Sequence, residues 1–216
     1  MYKNNMSRGK YNPSEDKLQR MEATKEAIVN AAFAEFARQG YENASIAEIA
    51  RAAGTGKGTL YNYFDSKQKL YAEIAWRIMQ KLESAVHDNL IACRCGRDKV
   101  NALGRTLYTF FRENRFYYEV FSFLNSNIMN IVKNDPRFAR DITADPTVKF
   151  IEEGKLDGSI SPDVHPVKFI AFASSTIWGM LMYMHERGDS VLERTGLPEN
   201  EMVDYSFTAM EKMLID

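Results

Sequence analysis

The sequence has very little cysteine, and the two that it has lie close together. Cys93 and Cys95 are separated by one residue, so their number and spacing exclude a disulfide framework. A zinc or redox site would need further ligands, and only His87 is nearby in the sequence. Two reduced thiols at a helix end or in a loop are therefore the simpler interpretation, and we expect neither a metal nor a cofactor.

Long apolar runs are also missing from the sequence. No run reaches the roughly 20 residues that a membrane-spanning helix needs, which predicts no membrane partner. The polar start, Met1 to Asp16, has no apolar segment of the kind found in signal peptides. These two absences predict a soluble protein of the cytoplasm.

The sequence lacks the motifs of common catalytic sites. It contains no GxSxG, no HExxH, no phosphate-binding glycine loop and no paired metal-ligand spacing. Its three histidines are far apart, and Glu152-Glu153 before a glycine is typical of a solvated helix end. We therefore expect that the chain is not an enzyme, although an all-α enzyme stays an alternative from another class.

The residues that are present describe a helical globular protein. Hydrophobic residues make up 45% and charged residues 26% of the chain, and no segment alternates with period two. The pattern predicts an all-α fold with a disordered N-terminal arm over 1–16, a small helical domain over 17–70 and a larger helical domain over 71–216. Residues 1–70 hold 11 Lys/Arg against 8 Asp/Glu, whereas the rest is net acidic, which fits a small module facing a polyanion.

The segment between residues 45 and 64 has the spacing of a helix-turn-helix. Ser45 is placed as an N-cap, with Glu48 three residues later completing a capping box. Two short helices that cross steeply need a small residue, a glycine at the turn and an apolar plug. Ala50, Gly54 and Leu60 supply these three. On spacing alone, a helical hairpin without a ligand remains open.

The surface of the second short helix suits the major groove of DNA. An Asn such as Asn62 can read adenine, Thr55 and Thr59 can bond a base or pack on a thymine methyl, and Lys57 can meet guanine or phosphate. Glycines would let the backbone come close to DNA, and tyrosine hydroxyls and a lysine suit phosphates. The complete set of predicted DNA-binding residues is Ser45, Thr55, Gly56, Lys57, Gly58, Thr59, Tyr61, Asn62, Tyr63 and Lys67.

This region also resembles a known family. A run of about 45 residues without a gap, from Ile28 to Leu70 and including the block Lys57-Gly58-Thr59-Leu60-Tyr61, closely resembles the N-terminal domain of TetR-family regulators. The resemblance implies that Thr55, Gly56, Lys57 and Thr59 line the groove-facing side and that Ser45 anchors the supporting helix. It further implies that Tyr61, Tyr63 and Lys67 clamp phosphates. Thr55-Gly56 stands where members often carry Val-Ser, so Gly56 lacks one hydroxyl contact.

The resemblance also implies how the chain works. TetR-like proteins are typically homodimers on near-palindromic operators, and their larger domain binds a small molecule that changes the spacing of the recognition helices. We therefore expect a repressor that releases its operator when an apolar or aromatic effector binds. A DNA-binding regulator whose large domain takes a protein partner is the alternative.

An aromatic-rich segment is the candidate effector pocket. Eight of the sixteen residues from Tyr108 to Phe123 are aromatic, although a helix that is aromatic all round is usually simply buried. Trp76 and Met79 would form the floor and carry the signal to the DNA-binding domain. The predicted lining is Trp76, Met79, Tyr108, Phe111, Tyr117, Phe121, Asn125 and Trp178.

A second apolar segment, residues 170 to 184, is the candidate dimer interface. Its small residues permit close helix approach, and its apolar character extends around the helix, so either the core or a partner must bury it. Together with the last helix it would form a four-helix interface. The predicted contacts are Ile170, Ser174, Ile177, Leu181, Phe207 and Met210.

Overall fold

The structure, a computed structural model, describes residues 13–123, 135–138 and 145–215, and within these ranges every regular element is an α-helix. The all-α prediction is confirmed. In chain order the helices are α1 (Pro13–Asn43), α2 (Ile46–Ala52), α3 (Lys57–Tyr63), α4 (Lys67–Leu90), α5 (Gly96–Glu113), α6 (Arg115–Phe123), α7 (Pro146–Asp157), α8 (Pro166–Thr195) and α9 (Glu199–Lys212).

The chain divides into two compact units, one ending at Ile74 and the other beginning at Ala75, so the division falls within α4. The predicted arm is too long at its C-terminal end, because α1 already begins at Pro13. Proline is favoured in the first turn of a helix, and Glu15 and Asp16 there complement the helix dipole. Residues 1–12 of the predicted arm lie outside the described residues.

The N-terminal unit packs α1, α2, α3 and the start of α4 around one apolar core. The buried side chains follow the predicted spacing and include Ile28, Val29, Ala32, Phe36, Ile49, Ala50, Leu60, Phe64 and Leu70. Gly40 has a φ of 71° and interrupts the helical geometry of α1. The sequence predicts the end of the first helix at this glycine. The last turn of α1 therefore changes direction before α2 begins.

In the C-terminal unit, α5 begins directly against α7. A Cβ added at Gly96 would overlap the backbone of Gly154, and one at Gly154 would lie 2.5 Å from the Ile160 side chain. The first amides of α5 are satisfied across this junction, because Gly96 N–H donates to Asp157 Oδ2 (2.8 Å) and Arg97 N–H donates to Ser159 Oγ (3.2 Å). This contact joins two helices through residues that are 61 positions apart in the sequence.

The longest apolar helix of this unit is α8. By length and composition alone, Pro166–Glu186 could cross a membrane, which corrects the prediction that no stretch is long enough. One third of its most apolar window is buried inside the protein. Its inward face carries Phe169, Ile177 and Leu181, all of which belong to the core. The described structure therefore uses one face of this helix as an ordinary core helix does.

Candidate functional site

The turn between α2 and α3 closes with two hydrogen bonds to the end of α2. Gly54 has a φ of 68°, its N–H donates to Arg51 O (3.1 Å), and Thr55 N–H donates to Ala50 O (2.9 Å). These two bonds form a Schellman motif, which satisfies the last carbonyls of a helix and needs positive φ at the glycine. The predicted role of Gly54 as the turn residue is thereby given a physical cause.

The start of α2 is held differently from the predicted capping box. Ser45 Oγ accepts from Glu48 N–H at 3.5 Å, as predicted, but the Glu48 carboxylate pairs with Arg51. The reciprocal bond to Ser45 N–H comes instead from Glu35 Oε1 on α1, at 3.3 Å. Glu35 is nearly buried, and its hydrogen bond with Arg38 keeps the pKa of its carboxyl below the ordinary value. An ionised carboxylate on α1 therefore anchors the helix that supports α3.

One face of α3 is buried and the other is open to solvent. Leu60 is fully buried and Phe64 nearly so, which confirms the predicted apolar plug. The side chains of Lys57, Thr59 and Asn62 are exposed, and Tyr61 retains 46% of its surface. Tyr63 is partly buried. Most of the predicted DNA-binding side chains of α3 therefore lie on a solvent-exposed surface that a partner as large as a DNA duplex can reach.

Two of the predicted contact residues are glycines at positions where the fold leaves room for a side chain. A Cβ added at Gly56 or Gly58 would meet nothing within 4 Å, and neither residue has positive φ. Gly56 is the N-cap of α3 and offers no side-chain hydrogen bond to the helix. Glycine is well tolerated at an N-cap such as Gly56, but inside the helix, at Gly58, it is less favourable than alanine and has no packing reason within the unit.

Lys67 is held in place by the end of α1. Its Nζ donates to Glu42 O (3.1 Å) and lies 4.7 Å from the centre of the Tyr41 ring. Lysine has three donors, so the bond to Glu42 leaves two for another acceptor. The Lys67 ammonium group is therefore held in place before any ligand binds. The sequence predicted a phosphate contact for this residue but not its hydrogen bond to α1.

The predicted pocket residues do not surround a common cavity among the described residues. Phe111 packs against Phe121 and Trp178, with ring centres 5.2 Å apart in both pairs. Trp76 instead meets the ring of Phe138 at 6.0 Å. Tyr117 contacts Lys81, Tyr108 bonds Glu199, and Met79 is partly buried, whereas Asn125 lies outside the described residues. Tyr108 and Phe111 are buried, whereas Tyr117, Phe121 and Trp178 are only partly buried, so the assignment of this cluster to an effector pocket stays a prediction.

A cavity of about 320 Å³ lies elsewhere in the C-terminal unit, between α4, α5, α7, α8 and α9. It has the size of a small-molecule site. None of the seven described residues predicted as pocket lining borders it. Its walls are mostly apolar and include Leu82, Val86, Val100, Leu103, Leu107, Phe169, Ile170, Ile177, Phe207 and Met210; its polar groups are Glu83, His87, Asn101, Asp145, Thr147 and Ser174.

A second groove, of about 460 Å³, is more polar and its charges are paired within the chain. Arg112 makes a bidentate contact with Glu199, and Tyr108 OH donates to the same carboxylate (3.0 Å). The Arg112 guanidinium keeps the pKa of Glu199 below its ordinary value, and burial raises the pKa of Tyr108. Arg105 pairs with Asp204 at 2.9 Å. These groups already satisfy one another, so the groove offers little unmet binding capacity.

Most of the predicted interface side chains are not on the surface. Ile170, Ile177, Leu181, Phe207 and Met210 are each at most 7% exposed, because they form the core between α8, α9 and their neighbours. Only Ser174 of the predicted set is exposed. The outward stripe of α8 instead carries Phe172, Ser175, Gly179 and Met182, and on α9 Tyr205 is exposed. The residues assigned to the interface therefore need correction even where the helices do not.

Neither Glu35 nor the 320 Å³ cavity was predicted from the sequence, and the reason is the same for both. Each depends on residues from distant parts of the chain, and no local spacing connects Glu35 with Ser45 or Leu82 with Phe207. A weak signal did exist for Glu35, since it is a carboxylate one residue before Phe36 within the apolar stripe of α1. A charged residue at such a position must find a partner.

Comparison with known proteins finds one family model that matches the N-terminal region. Residues 28–74 match the family model described as bacterial regulatory proteins, tetR family. The chain is 36% identical over 62 residues to the HTH-type transcriptional regulator AcrR of Shigella flexneri, covering 29% of this chain and 28% of that protein. It is 42% identical over 65 residues to the HTH-type transcriptional repressor SCO4008 of Streptomyces coelicolor, covering 30% of this chain and 34% of that protein. The chain thus spans about a third or less of these two relatives.

Solved structures extend the likeness of fold to nearly the whole chain. A TetR family transcription regulator from Marinobacter aquaeolei VT8 has a TM-score of 0.61 at 20% identity, covering 91% of this chain and 97% of that chain. The transcriptional regulator FadR from Bacillus subtilis, in complex with stearoyl-CoA, has a TM-score of 0.58 at 14% identity, covering 89% of this chain and 98% of that chain. At such identities the likeness concerns the fold alone.

Proposed function

We propose that this chain, whose residues 28–74 match the tetR family model, is a cytoplasmic transcriptional regulator of that family that binds DNA through α3 and is controlled by a small molecule. The observation that carries the proposal is the surface of α3. Its polar side chains are exposed, while Leu60 and Phe64 anchor the helix from behind. A helix with this exposed polar surface, preceded by a helix-turn-helix turn, is suited to insertion into the major groove of DNA.

Each exposed group on this surface has a matching group on DNA. Asn62 can bond both the N6 and N7 atoms of adenine, and Thr59 can bond a base or pack on a thymine methyl. Lys57 can reach guanine or a phosphate. Tyr61, Tyr63 and the pre-positioned Lys67 suit phosphates, and these contacts fix the register without reading sequence. The open space at Gly56 and Gly58 lets the DNA backbone approach.

The outward faces of α8 and α9 support a homodimer. Phe172 and Met182 are 46% and 50% exposed on α8, and Ser175 and Gly179 lie between them at helical spacing. Small residues between two large apolar ones let a second helix come close. A two-fold dimer would present two copies of α3 to two half-sites, hence a near-palindromic operator.

The cavity between α4, α5, α7, α8 and α9 is the proposed effector site. Its apolar walls favour a small apolar or aromatic molecule. The helix α4 runs from the N-terminal unit, where Leu70 and Ile74 are buried, to the cavity, which Leu82 and Val86 line. A ligand that displaces α4 at the cavity would therefore also displace the part of α4 that packs in the DNA-binding domain. In this proposal the ligand releases the operator, so that the protein acts as a repressor.

The DNA-binding part is tested by a gel shift on a duplex recovered by random-site selection. Lys57→Ala combined with Tyr63→Ala should weaken binding by roughly 100-fold, since a lost base contact of Lys57 costs about 1–3 kcal/mol and the phosphate contact of Tyr63 is lost with it. Lys149→Ala, which removes a charge from an exposed position on α7, is the matched control and should bind like the wild type. Equal affinity of the double variant and the control for the duplex at moderate salt would contradict the proposal that α3 binds DNA.

A further inference from the structure

The chemical class of the effector can be narrowed further from the charges around the cavity; this step rests on the proposed function. Among the described residues that line it, Glu83 and Asp145 are acidic and none is Lys or Arg. Glu83 is exposed and Asp145 is partly buried. The apolar lining residues Val100, Phe169, Ile170 and Met210 are buried. The cavity therefore combines an apolar interior with an acidic margin.

An anionic ligand would meet an unfavourable environment in this cavity. A carboxylate or phosphate group is bound in proteins by arginine, lysine or helix N-termini. Asp145 occupies the N-terminus of α7, where its Oδ1 accepts from Thr147 N–H at 2.8 Å. The helix end that could have attracted an anion is thus already capped by an acidic side chain, and like charges at close range oppose binding.

A protonated amine meets the opposite situation. Its charge is attracted by the two carboxylates, and its N–H groups can donate to them or to Asn101 and Ser174 at the same lining. The apolar part of such a molecule fits the interior between Val100, Phe169 and Met210. We propose that the cavity binds a small lipophilic amine, of the order of ten non-hydrogen atoms if each takes about 30 Å³ as water does in the liquid.

The proposal is tested with three probes of equal length that differ in one group. They are 4-phenylbutylamine, 4-phenylbutanol and 4-phenylbutyrate, and their binding to the full chain is measured by titration calorimetry without DNA at pH 7.5. We expect the amine to bind at least tenfold more tightly than the alcohol, and the carboxylate to bind most weakly. Because no DNA is present, a failure of the DNA-binding proposal cannot change this result.

The charge of the lining is then removed without changing its shape. Glu83→Gln with Asp145→Asn leaves two polar amides, and asparagine caps a helix about as well as aspartate. In this double variant the amine and the alcohol should bind within about twofold of each other. Asp88→Asn, an exposed carboxylate on α4 outside the lining, is the matched control and should keep the tenfold preference.

A final variant locates the probes. Ala173→Leu adds volume inside the cavity and should abolish binding of the amine, whereas Ala171→Leu, on the exposed face of α8, should not. Three outcomes would overturn the proposal: the carboxylate binding as tightly as the amine, a preference that survives the double charge variant, or no binding of the amine to the wild type. If the amine binds as expected but does not alter operator binding, the ligand class stands and the regulatory role fails.

Discussion

At the scale of single residues, glycine has two distinct uses in this chain. Gly54 is required by the turn, since its positive φ lets the Schellman bonds to α2 form. Gly58 is not required by the fold, because the space around its Cβ position is empty. Gly54 therefore shapes the domain, whereas the missing side chain of Gly58 would serve the DNA contact that we propose.

Gly58→Ala should therefore affect stability and DNA binding in opposite directions. Alanine in a helix is favoured over glycine by up to about 1 kcal/mol, so the variant should melt about 2–4 °C higher. If the DNA backbone approaches at this point, the added methyl should weaken operator binding by roughly tenfold. Calorimetric melting and fluorescence anisotropy on the same preparation check both effects; a variant that is more stable and binds equally well contradicts the close approach.

His185 should make the stability of the C-terminal unit depend on pH. Its Nε2 is 3.1 Å from Phe111 O and its ring stacks on Tyr118, and burial lowers the pKa of the imidazole below the ordinary 6.5. The unfolded chain therefore binds a proton first as the pH falls, so stability present above about pH 6.5 is lost as the pH falls toward the lower folded pKa.

The measurement is urea unfolding at pH 7.5 and 5.5. His185→Gln should show a smaller loss of stability between the two pH values than the wild type, because glutamine keeps a donor for Phe111 O but does not titrate. His165→Gln, at an exposed position, should behave like the wild type. Identical pH dependence in all three proteins would refute the assignment to His185.

At the scale of elements, the sequence predicted the helices of the DNA-binding domain better than the surroundings of the site. The spacing of Ala50, Gly54 and Leu60 is local, so the turn and the plug followed from it. By contrast, Ser45 is bonded by Glu35 from another helix, and the cavity is assembled from five helices. A single sequence contains no period that pairs such distant positions, and an aromatic-rich segment such as α6 looks the same whether it is core or pocket.

The junction of α5 and α7 is the element contact that tolerates least change. Gly96→Ala would force the two backbones apart, because its methyl overlaps Gly154. We expect a loss of about 3 kcal/mol in the free energy of unfolding, at the upper end of overpacking effects. Gly58→Ala is the matched control, since it makes the same replacement in open space. Chemical denaturation measures both, and equal stability of the two variants would contradict the close approach.

At the scale of the whole molecule, specific DNA binding by α3 requires two copies of the chain. A single α3 reads too few base pairs for a specific operator, and a symmetric dimer doubles the site. The sequence predicted an interface on α8 and α9, but five of the six side chains it named are buried within the unit. Helical spacing alone does not tell which apolar face of a helix is covered by its own chain.

Phe172→Lys combined with Met182→Lys should break the dimer. Two charges on the outward face of α8 cannot be buried against a partner without large cost. Light scattering should give twice 24.8 kDa for the wild type and 24.8 kDa for the variant. Leu156→Lys is the control, because Leu156 is 90% exposed on α7 and is not part of the proposed interface. A wild type that is monomeric at micromolar concentration would contradict the interface.

The central claim is that α3 reads DNA sequence, and random-site selection with the full-length protein tests it most directly. The account predicts that the recovered duplexes share two half-sites related by two-fold symmetry, with centres about one helical turn or a multiple of it apart. Selection with the Lys57→Ala, Tyr63→Ala protein should lose that motif. A recovered pool without any shared motif, bound by the wild type no more tightly than unselected DNA, would contradict the account.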